Sequence, residues 1–73
     1  MRRLRALSGK DACRILASAG FAKVRQRGSH VIMQRRMAGT TITVPVPMHK
    51  ELCEGTLRSI IRQSRVDRSL FER

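Results

Sequence analysis

The sequence predicts a two-layer α+β domain in the order α-β-β-β-α, with a three-stranded antiparallel sheet packed on two helices. Three observations carry that expectation. Amphipathic stretches with helical spacing stand near both ends of the 73-residue chain. Three short β-prone segments lie between them, divided by turns at Gly28 and Gly39. A sheet of this kind offers one apolar face, and two helices suffice to cover it.

Each element has a local reason. Residues 1–6 read as a loose basic leader. Ser8 is placed to cap a helix, and Asp11, three residues on, completes a capping box. Helix 1 is expected over about residues 9–19, with Ala12, Ile15, Leu16 and Ala19 on one face and Arg14 and Ser18 on the other. Gly20 stops it, and Phe21 packs back on its last turn. Residues 21–26 read as strand 1, with Phe21, Lys23 and Arg25 on one face and Ala22, Val24 and Gln26 on the other. Arg27-Gly28-Ser29 is a short turn.

Strand 2 is expected over residues 30–35. Its apolar middle, Val31-Ile32-Met33, leaves the inward face open; His30 shares the face of Ile32 whichever way that points. Residues 36–39 form the next hairpin loop, and residues 40–46 the third strand. There Ile42, Val44 and Val46 face one way and Thr41, Thr43 and Pro45 the other. Pro45 and Pro47 stop the pairing and mark an edge or a strand end. Residues 48–52 read as a loop or a first helical turn. Helix 2 spans about residues 53–64, burying Leu57, Ile60, Ile61 and Ser64 and turning Arg58, Arg62 and Arg65 outward. Asp67 caps a terminal turn in residues 67–73, anchored by Leu70 and Phe71. The whole of residues 1–73 is one domain, without repeat or linker. A chain this short buries only about 60% of its unfolded surface, which leaves no deep cofactor cavity.

Charge narrows the partners. Sixteen Lys and Arg against five Asp and Glu give a formal +11, and thirteen of the sixteen are Arg. Such an excess repels itself and points to a polyanionic or acidic partner, nucleic acid first. Arg in particular matches phosphate with its planar fork. Phe21 and Phe71 are the only aromatics, so an aromatic stacking platform is nearly unavailable, which argues against a single-strand binder of that kind. Cys13 and Cys53 lack the CxxC or Cys/His spacing of a zinc site, and Cys13 reads as a small apolar residue on helix 1. No signal peptide or membrane-spanning run is visible, so the expected location is the cytoplasm.

The densest chemistry is Arg25-Gln26-Arg27-Gly28-Ser29-His30. Two-metal nucleases need clustered carboxylates, and the five here are scattered outside the strands, so no metal site is expected. What remains is metal-free acid–base chemistry, for which RNA is the natural substrate, since its 2′-OH is a built-in nucleophile. His30 is the candidate catalytic residue, although a lone strand histidine is more often structural. Arg25, Arg27, Lys50 and the N–H groups of the Gly28 turn can steady the phosphate. Lys10, Ser29, Arg35, Arg36 and His49 complete the expected RNA contacts. Each has a plainer reading: Ser29 as a turn residue, Arg35 and Arg36 as solvated charges, His49 as a loop residue.

Four pieces of the chain together resemble the HicA family of toxins from type II toxin–antitoxin modules, also called YcfA-like. They are Ser8-Gly9-Lys10-Asp11; Gly20-Phe21 followed by Arg25 to His30; Thr43-Val44-Pro45-Val46; and Lys50-Glu51-Leu52 with Gly55 to Gln63. The likeness runs over about residues 7–66. It implies a fold like a double-stranded-RNA-binding domain and an mRNA interferase that cuts RNA without metal or cofactor and arrests translation. It also implies a cognate HicB-type antitoxin that covers the active site. The family's catalytic histidine matches His30, and Gly28 and Ser29 match the turn that presents it. The chain departs from the family pattern at Cys53-Glu54-Gly55 and in its arginine-rich leader. The competing class is a non-catalytic RNA-binding module of the same fold.

Overall fold

A computed structural model describes residues 2–73. The order is α1 (Gly9–Ser18), β1 (Ala22–Arg27), β2 (His30–Met37), β3 (Thr40–Pro47), α2 (Glu54–Ser64) and a 3₁₀ turn (Arg68–Phe71). The three strands form one antiparallel sheet in the order β1-β2-β3. The α-β-β-β-α order and the two-layer α+β fold, like that of a double-stranded-RNA-binding domain, are as expected.

The helices form where their caps and stripes dictate. Ser8 Oγ accepts from the Asp11 N–H, and Asp11 Oδ2 accepts from the Ser8 N–H, both at 3.0 Å. This box holds the Asp11 carboxyl below its ordinary range, mainly through the Ser8 backbone bond. At the other end, Phe21 N–H donates to Leu16 and Gly20 N–H to Ala17, a Schellman closure with Gly20 at φ 95°. Ala12 and Leu16 are fully buried, with Ile15 and Ala19 half-buried beside them. On α2, Leu57, Ile60 and Ser64 are buried, but Ile61, expected with them, is only half-buried; Arg58 and Arg62 are exposed, as is Arg65 just past the helix end.

Strand register decides the faces, because directly opposed residues share one. Val31, Met33, Val44 and Val46 belong to the core under the helices, whereas Ile32, buried on the far side, does not. His30 therefore lies on the outer face with Ile32, opposite Pro47 and Pro45. On β1 the simple alternation fails. Lys23 opposes Met33 and Arg25 opposes Ile32, so Val24 is an extra, bulged residue. The bulge flips every residue after it. Lys23 and Gln26 stay on the helix side, while Arg25 and Arg27 swing to the face of His30.

Three further expectations are corrected. Pro45 and Pro47 do not stop the pairing with β2, which runs through Pro47. Lacking N–H groups, they blunt the opposite edge of β3, beside which α2 lies. The leader is not loose: Arg5 N–H donates to Phe71, Arg73 N–H donates to Arg3, and Leu4 bridges Glu72. Met1 lies outside the described residues. Phe71 alone anchors the terminal turn, while Leu70 is 39% exposed. At three residues per turn, neighbours point about 120° apart.

The tightest contact joins α1 to the loop after β3. A Cβ on buried Gly9 would strike the Pro47 carbonyl oxygen and lie 2.9 Å from Met48 Cα. Gly9 N–H also donates to His49 at 2.9 Å, and Leu52 N–H to Leu7 at 2.8 Å. We expect Gly9→Ala to cost about 1–3 kcal/mol in urea unfolding, since backbone cannot move aside as a side chain can. An unchanged midpoint would contradict this close approach. The opposite change is expected after α2, where Arg65 is held at φ 60°. Arg65→Gly relieves that left-handed strain and is expected to stabilise by about 0.5–1 kcal/mol, read by the same unfolding curve.

Candidate active site

His30 is presented by a two-residue hairpin. Gly28 takes φ 57° and Ser29 does not have positive φ, the pattern of a turn with glycine at its first central position. Gln26 Nε2 donates to the Gly28 carbonyl at 3.1 Å. Met48 N–H donates to the Ser29 carbonyl at 2.6 Å. The turn is thus tied to β1 and to the loop that follows β3, and His30 follows it as the first residue of β2, exposed, with Arg27 directly opposite.

The expected site residues divide into three groups. Arg25, Arg27, Gly28, Ser29 and His30 gather at the hairpin end of the sheet, with Arg25, Arg27 and His30 on the outer face. Lys10, His49 and Lys50 line a groove between α1 and β1, together with Lys23 and Arg14. Arg35 and Arg36 stand at the opposite end of β2, roughly 20 Å from His30 at about 3.3 Å per residue. Arg35 lies over Gly20, on the helix side, and Arg36 is exposed. Hence the two histidines occupy different depressions. His30 lines a shallow one with Pro45, Pro47, Ser59, Ile60 and Gln63.

Sequence reasoning missed Lys23, whose side the bulge sets, and the α2 residues Ser59 and Gln63. The spacing of positions 59 and 63, one helical turn apart, was a visible signal, but nothing in the sequence placed that flank beside His30.

Electrostatically, the outer face is one-signed. The strands hold no carboxylate. Asp11 pairs with Arg14 at 3.1 Å, Glu54 with Arg58 at 3.5 Å and Glu72 with Arg68 at 2.7 Å, all within helices or the terminal turn. Asp67 accepts from Ser69 N–H at 2.9 Å, which lowers its pKa. Arg25 and Arg27 thus have no acidic partner among the described residues. Nor do any three His, Cys, Asp or Glu side chains among them come together as a metal-binding group. The arrangement can attract a polyanion, steady a phosphate with guanidinium groups and offer it an imidazole.

Compared with known families, residues 9–66 match the model described as the HicA toxin of bacterial toxin–antitoxin. No curated protein matches the chain. No helix among the described residues is long and apolar enough to cross a membrane.

The two thiols report on the two depressions. Cys53 is exposed, and its sulfur lies 3.1 Å from the Thr56 hydroxyl, a bond that holds its pKa below the ordinary value. Burial raises that of Cys13 in the α1 groove. Iodoacetamide near pH 8 is expected to modify Cys53 well before Cys13, as followed by peptide mass mapping over time. Equal rates would contradict the described environments.

Proposed function

The chain belongs to the HicA toxin family, the toxins of toxin–antitoxin systems, and from that premise we propose that it is a metal-independent endoribonuclease acting on mRNA through His30. The observation that carries this reading is the exposed His30 opposite Arg27, on a carboxylate-free sheet face, at the end of a braced hairpin. The chemistry needs little else. One group must take the proton of the 2′-OH, cations must steady the pentacovalent phosphate, and one group must protonate the leaving 5′-oxygen. His30 performs one of the two proton transfers. Arg27 and Arg25 hold the phosphate, and the groove cations Lys10 and Lys50 take the flanking backbone.

The partner follows from the same charge. We propose a HicB-type antitoxin whose acidic surface covers the His30 face, since complementary charge speeds association and opposes wrong partners. Arrest of translation then reflects mRNA cleavage by the uncovered toxin.

His30→Ala is expected to lower RNA cleavage by about 10²- to 10⁴-fold in EDTA and to abolish growth arrest, while leaving folding intact because the side chain is exposed. Undiminished cleavage would sink the assignment, and so would strict metal dependence. Tight binding without any cleavage by the wild type would instead identify a non-catalytic RNA-binding module.

A further inference from the structure

The depression beside His30 differs from the rest of this surface. The chain carries +11, yet apart from the imidazole no residue lining the depression is Asp, Glu, Lys or Arg. Its volume is about 370 Å³. Two proline rings, Pro45 and Pro47, stand on one face of β3, and Pro47 directly opposes His30. Buried Ile60 closes the apolar side. The far wall is polar. Gln63 Nε2 donates to Ser59 Oγ at 2.8 Å, which fixes the amide and leaves its oxygen and second N–H unspent.

A part-apolar recess without lysine or arginine does not suit a phosphate. It suits a flat, neutral group with an apolar face and a polar edge. The nearest such group to a scissile phosphate at His30 is the base of an adjoining nucleotide. With both phenylalanines buried, the rigid proline rings are the surface on which a base can lie. A carboxamide that offers one donor and one acceptor side by side reads a base edge.

We propose that this depression is a nucleobase subsite for the substrate RNA and that Gln63 is a specificity-determining residue within it. The proposal rests on the ribonuclease reading above. It assigns the cut-site preference of the enzyme to a fixed amide on α2 and not to the arginines of β1, which meet the sugar–phosphate backbone.

The test digests a random-sequence RNA pool with the wild type and with Gln63→Leu and sequences the new ends. The wild type is expected to favour one base at a fixed position beside the cut. Gln63→Leu, at an exposed position, is expected to reduce that preference about tenfold and so redistribute the cuts. A preference that survives in Gln63→Leu, or a wild type with none, overturns the subsite. If the wild type leaves RNA intact, the ribonuclease reading fails, and binding judges the subsite separately. The wild-type protein is then titrated with four short homopolymeric RNAs while the Gln63 amide is followed by NMR. A base-dependent shift upholds the subsite. No shift, or a shift of the same size with all four RNAs, overturns it.

Discussion

The structure depends on one close approach, that of the Gly9 backbone to Pro47 and Met48. Only a residue without Cβ lets the first turn of α1 rest there. The capping box at Ser8 and Asp11 fixes where that turn begins. The Gly9 and Leu7 hydrogen bonds then pin the loop from His49 to Leu52. Met48 carries the constraint onward, because its N–H holds the Ser29 carbonyl. From Gly9 to Met48 to Ser29, backbone contacts thus lead to the residue before His30. Preorganisation of this kind suits the acid–base role proposed for His30, whose side chain is exposed at the end of the hairpin.

The second constraint is the bulge at Val24. It sorts the basic residues of β1 between two surfaces, Lys23 toward the α1 groove and Arg25 and Arg27 toward His30. Without it, all three would share one face, and either the groove or the His30 face would lose its cations. Bulges recur where a side chain must be re-aimed. The outer face that results is basic at its β1 side and apolar at its β3 side, with the imidazole at the boundary. A ribonuclease reading uses both halves: the cations for the backbone, the uncharged recess for a base.

Much of the fold was legible because its signals are local. The Ser8 and Asp11 box, the Gly20 stop, the Leu57-Ile60-Ser64 stripe and the alternation in residues 40–46 each follow from spacing over a few positions. Faces and ends were less legible. Nothing in Lys23-Val24-Arg25 marks a bulge, because the extra residue is forced by pairing with β2. The leader read as loose because its partners lie at the far end of the chain, near residue 72. Leu70 read as buried because hydropathy does not reveal a 3₁₀ turn. At the site, His30 and its glycine turn stood out by residue type. Pro45, Pro47 and Gln63 did not, since each has an ordinary structural reading until the sheet brings it beside the imidazole.

In the proposed reaction the RNA's own 2′-oxygen is the nucleophile and His30 moves a proton. The most direct measurement is cleavage of an RNA oligonucleotide carrying a single 2′-deoxy nucleotide at the mapped cut, compared in EDTA with its all-ribose parent. The parent is expected to be cut and the substituted strand left whole at that bond, because the nucleophile is gone. Cutting of both strands at equal rates would contradict it.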